Sequence, residues 1–485
     1  MKTKNSQYKR NLCLALLCLA GGLGLFSCKV PEVATAERIT LPQSKDVRQD
    51  SIQALPWSEF FQDKQLCEYI EVALTNNHSY QQAIERVNIS RANLRSAKGA
   101  MLPSVSAGLG IASTRFGEYT MDGVGNSTTN TPDLPKDKHI PDPYSDFGLS
   151  VGFQWEADIW GKLTNKKHAA ISRWMASEEA LRFSQAMLIS DLATHYFELI
   201  GLDKRNEVLQ KSLKKAQRSH NLTKVLKQEG AETQLAVDQF HARTLLLKSQ
   251  LLANKQLIGE QERAISCLLG IFPFPIKRTH FDDLCKQSFP MEKGIPSNLL
   301  TLRPDVRAAE LELLASKADT HAARTAFYPS IVLGGSGGFN SFDVAKWFVA
   351  PASLVYNLAA GITAPIFKQH EISSLWDKAQ AKQRIALSQY HETAISAYAE
   401  VLDLLSTVST LTQQIELKRR EVEVLHRSAT DASELFQVSY IGFLEVLSAE
   451  ERLFTGEMEF IQLTTQQCRQ STLLYRALGG GVSSK

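Results

Sequence analysis

The sequence predicts a mixed fold in which internally duplicated long α-helices accompany four membrane-type β-strands per chain. Three observations carry this expectation. Two tracts, Lys162 to Glu229 and Glu371 to Ser439, are almost free of helix breakers; four segments alternate apolar with small or polar residues; and sequence motifs of the first half recur in the second at nearly constant offsets. With 485 residues, 44% hydrophobic and 22% charged, the chain can bury more than one core, which excludes disorder, collagen and a polytopic helical membrane protein.

The chain opens with Lys2, Lys4, Lys9 and Arg10, followed by an uncharged stretch from Asn11 to Ser27 rich in Leu, Ala and Gly. This is too short for a comfortable membrane span and reads as a secretory signal peptide over residues 1–27. It ends in Leu25-Phe26-Ser27-Cys28, similar to a bacterial lipobox, in which a small residue precedes a Cys that becomes the lipid-modified N-terminus. Cys28 is the candidate lipid attachment, and Lys29 rather than Asp after it points to the outer membrane. An ordinary signal peptide that contains a Cys is the plainer alternative. Formal charge is +3; cleavage removes the four basic residues and no acid, leaving 50 basic against 51 acidic residues, so charge gives no support to a nucleic-acid partner. Cys67, Cys267, Cys285 and Cys468 lack the paired spacing of a zinc site, and no metal or cofactor is expected. Export allows a Cys267 to Cys285 disulfide, with free buried thiols as the alternative.

Helical tracts dominate past residue 75. Lys162 to Glu229 contains no Pro and a single Gly, Gly201, and Glu371 to Ser439 contains neither. At 1.5 Å per residue each tract would reach about 100 Å as one helix, far beyond the average of roughly 11 residues, so each needs a coiled-coil or barrel partner. Along the second tract Ile395, Tyr398, Val401, Leu402, Leu405, Val408, Leu411 and Ile415 recur mostly at spacings of three and four, and the stripe resumes at Val422 and Leu425. Lys418 interrupts it. The run Lys418, Arg419, Arg420, Glu421 and Glu423 reads as a solvated helix face.

Four segments have a period of two. Val105, Ala107, Leu109 and Ile111 alternate with Ser104, Ser106, Gly108 and Gly110, and Phe147, Leu149, Val151, Phe153 and Trp155 alternate with Asp146, Gly148, Ser150, Gly152 and Gln154. Ile331, Leu333 and Phe339 share a face across Gly334 to Gly338. Phe348 to Phe367 carries no charge and has the length of a spanning helix, but Pro351, Gly361 and Pro365 argue against one, and the apolar even positions from Leu354 to Ile366 favour a strand. One apolar and one small or polar face suits a strand with lipid outside and water within; a soluble sheet packed on a helix would alternate alike. Four strands cannot close a barrel, so several chains must share one, and three copies would give twelve strands above a second barrel of helices.

The repeat is visible in the motifs. Ala100-Met101-Leu102-Pro103-Ser104-Val105 matches Ala326-Phe327-Tyr328-Pro329-Ser330-Ile331, and the helix starts Asn77-His78-Ser79-Tyr80 and Arg303-Pro304-Asp305-Val306 correspond at the same offset of 226. Glu156 to Trp160 aligns with Thr363 to Phe367 at 207, and Leu235, Val237, Leu269 and Gly270 align with Leu444, Val446, Leu478 and Gly479 at 209. Both halves read helix, strand pair, long helix, helix. Pro304 suits a first helical turn, where Asp305 favours the positive end of the dipole.

On these residues the chain resembles an outer-membrane factor of the TolC, OprM and NodT type, most closely the lipoproteins of tripartite efflux systems. The likeness spans Cys28 to Gly481 and rests on Leu55-Pro56-Trp57 with Phe60-Phe61, the run from Trp155 to Lys162, Leu299 to Glu310, Ala326 to Ile331, Leu444 to Leu447 and Ala477 to Gly481. It implies a homotrimer with a twelve-stranded transmembrane β-barrel in outer-membrane lipid, a periplasmic α-barrel and an equatorial belt. It also implies passive export of drugs or other small solutes, driven by an inner-membrane transporter through a periplasmic adaptor. The expected organisation is a signal peptide at 1–27, a lipidated N-terminal segment and equatorial region at 28–74, a first repeat at 75–270, an equatorial linker at 271–295, a second repeat at 296–481 and a tail at 482–485.

Enzymatic readings fare poorly. Gly334 to Gly338 fits G-x-S-x-G, with His370 or His391 as an imaginable base, but a nucleophile elbow needs a strand-to-helix turn and these residues continue a strand. Gly161-Lys162 lacks the remainder of a P-loop and no HExxH occurs, so no catalytic residue is assigned. A duct for type I protein secretion would use similar parts, and a lipid-anchored coiled-coil scaffold would explain the helices but not the strands. Residues 117–143 should form the longer extracellular loop and Ser341 to Ala350 the shorter one. Two helix reversals are expected at the opposite end, one around Gln228 to Thr233 with Gly230 permitting the turn, the other around Val438 to Phe443 with Gly442. The resemblance puts Glu445 where TolC-like channels carry the first of two aperture aspartates, as candidate periplasmic gate; the second falls on Ser448, and Ser439 stands where the family usually has Gly. The plainer role for Glu445 is to solvate a helix start.

Overall fold

The computed structural model describes residues 47–48, 56–284, 295–296, 303–438 and 440–480. Cys28, Cys285 and Ser439 lie outside the described residues, as does the signal segment. In chain order the elements are β1 (Val47–Arg48), α1 (Trp57–Phe60), α2 (Lys64–Asn76), α3 (His78–Gly99), β2 (Ser104–Thr114), α4 (Met121–Thr129), β3 (Tyr144–Ala157), α5 (Lys162–Gln228), α6 (Gln234–Leu268), α7 (Phe281–Leu284), β4 (Ile295–Pro296), α8 (Pro304–Arg324), β5 (Ser330–Ser341), β6 (Leu354–Thr363), α9 (Glu371–Gln437) and α10 (Phe443–Ala477). They fall into two compact units, one holding Arg95–Ala169 and Ala315–Arg384, the other Glu37–Leu94, Ala170–Leu314 and Ile385–Lys485. Each repeat contributes to both units.

The first unit is built on an antiparallel sheet in the order β2-β3-β5-β6. Its register places every apolar half-strand on one face: Val105 pairs with Phe153, Leu109 with Leu149, Leu149 with Phe339 and Phe339 with Leu354. The other face carries Ser106 opposite Gly152, Gly152 opposite Ser336 and Ser336 opposite Asn357. Only the middle of the uncharged stretch from Phe348 to Phe367 is a strand. Pro351 sits in the turn before β6, and Pro365, without an N–H for the ladder, follows its end. In residues 117–143 the chain forms α4, which sequence composition hid among polar residues; Thr120 caps it by accepting from the Gly123 amide at 3.1 Å.

The second unit is helical, and the duplication is geometric. α5 and α9 each have 67 residues, α6 and α10 each 35. α6 ends with Gly270 at φ 70° and the Ile271 amide donating to Ser266 O; α10 ends with Gly479 at φ 85° and the Gly480 amide donating to Tyr475 O. Both are reversals in which a left-handed Gly lets the chain close over the last carbonyls. Asn77 Nδ2 donates to Leu268 O at 2.8 Å, and at the matching position of the second repeat Arg303 Nη1 donates to Ala477 O at 3.4 Å. Thus the residue before the first helix of each repeat ties down the end of the last one.

Polar anchors fix this core. Asp63, buried between α1 and α2, caps α2 through the Gln65 and Leu66 amides at 2.9 and 3.2 Å and accepts from Tyr196 at 2.9 Å and Thr279 at 2.6 Å. Burial, foremost, pushes the Tyr196 phenol above its usual range, so it stays a donor. Arg303, 6% exposed, bonds Asp305 and Glu400, and Arg476 takes the other oxygen of Glu400 at 2.7 Å. Around them pack Phe60, Leu66, Ile70, Phe197, Ile200, Ile265, Phe281, Ile461 and Tyr475. Lys418 is not merely solvated: it bonds Glu421 on its own helix and Glu459 of α10 at 2.7 Å, which explains its break in the apolar stripe.

Replacing Asp63 by Ala removes a helix cap and leaves a buried phenol without its acceptor, at an expected cost of about 3 kcal/mol; a drop in the thermal unfolding midpoint in detergent measures it. At the end of β3, Asp158 accepts from the Leu163 and Thr164 amides at 2.8 and 2.7 Å and so caps α5. Burial opposes ionisation there, but the bonds from Thr164, Leu163 and Lys162 outweigh it and hold the carboxyl below its ordinary 3.8. That stabilisation is present above the ordinary value and is lost as pH falls through the lower folded one. Asp158→Ala should cost about 1 kcal/mol at neutral pH, and its difference from wild type in thermal midpoint should shrink on acidification.

Candidate functional site

The sheet is a wall with two unlike surfaces. On its apolar face Val105 is 70% exposed and Leu358 73%, and every residue of β2 and β6 is exposed. These are the edge strands, 11 and 10 residues long, with one side of each ladder unpaired among the described residues. An exposed, long, apolar edge is a template for pairing with another strand, and no charge or Pro within either strand blocks it. The lengths match strands that cross a bilayer at a tilt. No helix among the described residues is long and apolar enough to cross a membrane.

The opposite face is small and polar. Asn340 donates to Asp146 at 2.7 Å, and a side chain at Gly338 would overlap the Leu149 carbonyl, so glycine there permits the close approach of β3 and β5. Ser336 continues β5 between glycines, so it sits on no strand-to-helix elbow. At the hairpin end of the sheet, Trp347 stacks on Phe348 at 4.9 Å and lies 5.7 Å from Phe147, an aromatic cluster of the kind that marks a membrane interface. The two hairpin loops are latched together: Lys346 donates to Asp137 Oδ2 at 2.8 Å and to its carbonyl at 2.7 Å, and holds that carboxyl below its usual range. Neither the latch nor the approach of Trp347 to Phe147 was legible in sequence, because the partners are about 200 residues apart.

The other end of the sheet turns into helices through the Trp155 to Lys162 run. Trp155 Nε1 donates to Met101 O at 2.9 Å, Trp160 Nε1 to Pro329 O at 2.7 Å, and Glu156 pairs with Lys162 at 2.9 Å. Gly161 at φ 73° makes the turn. Trp160 stacks on Tyr328 at 4.8 Å beside a cavity of about 560 Å³ that Phe367 and Ile366 also line.

Of the candidate turn residues, Gly230 and Gly442 lie between paired helices. Gly230 has φ 74° with open space around it, and the Ala231 amide donates to Leu226 O at 2.8 Å; at the equivalent turn of the second repeat the Tyr440 amide donates to Leu435 O at 2.9 Å. Thr233 caps α6 with its hydroxyl, whereas Gly442, the corresponding residue, caps α10 without a side chain. Glu445 is exposed in the first turn of α10, and its carboxylate lies over Gly442, 3.0 Å from where a side chain there would begin. Behind these turns Phe240 and Phe443 pack at 6.3 Å. Cys267 is exposed; its candidate partner Cys285 is outside the described residues.

Comparison with known proteins agrees with this geometry. The chain is 27% identical over 482 residues to the pyoverdine export outer membrane protein OpmQ of Pseudomonas putida, covering 97% of each. It is also 27% identical to the cation efflux system protein CusC of Escherichia coli K12, covering 96% of this chain and 99% of the relative. The solved structure of CusC superposes with a TM-score of 0.78 at 25% identity, over 92% of this chain and 99% of that one. The outer membrane protein VceC of Vibrio cholerae superposes at 0.76 and 23% identity, over 88% and 98%, a likeness of fold. The family described as outer membrane efflux protein matches residues 69–271 and 295–480, and the chain belongs to it.

Proposed function

We propose that three copies of this chain close a twelve-stranded barrel in the outer membrane, β6 of one protomer pairing with β2 of the next, and that the helices continue it as a periplasmic duct. The observation that carries this reading is the sheet itself: one continuous apolar face, one small and polar face, and two unpaired edges. Closure satisfies both edges at once, which hydrocarbon requires of any spanning sheet. The duct is passive and performs no catalysis; energy comes from an inner-membrane transporter acting through a periplasmic adaptor. Its cargo is a small solute, a class broad enough to include the pyoverdine and cations named for the relatives.

In this trimer the hairpin loops with the Lys346 to Asp137 latch face the cell exterior, and the reversals at Gly230 and Gly442 form the periplasmic tip. Glu445 acts there as a ring of three carboxylates that repel one another and favour cations. Its carboxylate lies beside Gly442 in the first turn of a helix whose cap has no side chain, where its charge suits the positive end of the dipole.

Reconstitution of the purified protein in planar bilayers tests the duct: discrete conductance from a detergent-dependent trimer is expected, and a soluble monomer without conductance would refute it. Glu445→Gln should lower cation selectivity and relieve block by multivalent cations while the trimer persists; unchanged selectivity leaves only the role of a charge at a helix start. Mass spectrometry of the mature N-terminus should find lipid on Cys28, and an unmodified Cys28 or cleavage elsewhere would overturn the anchor.

A further inference from the structure

The single glycine of α5 stands beside a second large cavity. Gly201 faces Thr465 of α10 so closely that any side chain there would overlap the Thr465 hydroxyl and methyl. The two helices therefore approach tightly at this level, and beside the contact a cleft of about 630 Å³ opens between them. Its walls are mainly polar and open to solvent, with Leu202, Met458 and Ile461 lining the remainder. Arg205 and Glu198 project from α5, and Arg469 with Gln462, Gln466 and Gln470 from α10.

Two features separate this cleft from an ordinary solvated helix face. Arg278, Arg303 and Arg476 of the same unit are each bonded to carboxylates. Arg205 and Arg469 pair with no carboxylate among the described residues, although they line one cavity from opposite helices. The three glutamines, spaced four residues apart, lie in a row along α10. Two guanidiniums, which offer paired N–H donors, and a ladder of amides, which both donate and accept, are the groups that bind a carboxylate carried on a polar, hydrogen-bonding body.

The cleft also has a side. Tyr196, Ile200 and Asp203 share the α5 face that meets Asp63, Thr279 and Arg278. At 3.6 residues per turn, Glu198, Gly201 and Arg205 lie on the far side of the helix from that layer. If the layer wraps the helices from outside, as a belt, the cleft opens toward the duct.

The geometry points to a binding site for anionic, polyhydroxylated or polycarboxylate solutes at the α5–α10 cleft, repeated three times around the duct as a selectivity station for cargo. Its lumenal placement rests on the trimeric duct proposed above. Arg205 and Arg469 clamp the carboxylate, the glutamines hold the polar remainder, and Glu198 rejects solutes whose charge is spread toward α5.

Citrate serves as the probe, with sucrose as an uncharged control. Calorimetry on the detergent-solubilised full-length trimer should show saturable citrate binding, and no comparable sucrose binding. The double variant Arg205→Gln with Arg469→Gln should weaken citrate by at least about tenfold, the loss expected for charge-assisted hydrogen bonds. Glu198→Gln should strengthen it. Arg205→Lys with Arg469→Lys keeps the charge but not the paired donors and should fall between wild type and the glutamine variant. In bilayers, citrate should reduce wild-type conductance saturably, with the half-blocking concentration shifted by the same factor in the glutamine variant. Equal citrate affinity in wild type and the glutamine variant overturns the site. Binding without block overturns its placement in the duct. A wild type without any conductance refutes the duct itself, and calorimetry then still decides whether the cleft binds citrate.

Discussion

A backbone amide placed in hydrocarbon must find a partner within the protein, and each chain here arrives with two rows of them unsatisfied. β2 and β6 are fully exposed and apolar on one face, and among the described residues neither has a neighbour on its outer side. Much else follows from that requirement. The strand lengths, the segregation of large side chains onto one face, and the glycines that let β3 and β5 approach all serve a sheet made to be completed by copies of itself. A protomer with closed edges would be a different protein, content as a monomer and unable to bound a pore.

The helices answer a second constraint. A helix of 67 residues has little to gain from its own propensity and holds its place through packing and through what happens at its ends. The structure spends its buried polar groups there. Asp63 joins α2, α5 and the segment before α7; Arg303, Glu400 and Arg476 join the start of α8 to α9 and α10. Because each repeat ties its first helix to the last carbonyls of its closing helix, the two halves keep the same register although their side chains have diverged.

Much of this was legible in sequence. Period-two alternation located all four strands, and the absence of Gly and Pro located α5 and α9 to within a few residues, because both signals are local. The Gly230 reversal was legible for the same reason: a left-handed φ asks for glycine, and the residue names itself. What stayed hidden depends on distance. Asp63 gives no sign in sequence that it will meet Thr279, 216 residues away. Lys418 looked solvated because Glu459 lies 41 residues further on, and α4 escaped because most of its residues are Gly, Ser, Thr and Asn. The end of β6 was overextended, since alternation continues to Ile366 whereas the ladder stops before Pro365. Of the candidate site, the turn residues could be read and the carboxylate of Glu445 could be placed at a helix start, but its approach to Gly442 is a matter of three dimensions.

The unequal caps of the two short helices give the duplicated hairpins different temperaments. At α6 the Thr233 hydroxyl holds the amide of Ala236, so the first turn is fastened from within. At α10 the Gly442 cap has no side chain to offer, and the turn is held by the packing of Phe443 against Phe240 and Ala236. A helix start fastened in this second way opens at lower free energy than the first. Fraying and amide exchange will therefore distribute unevenly between two arms of equal length, with the start of α10 opening before that of α6, so a duplication that preserved length did not preserve stiffness.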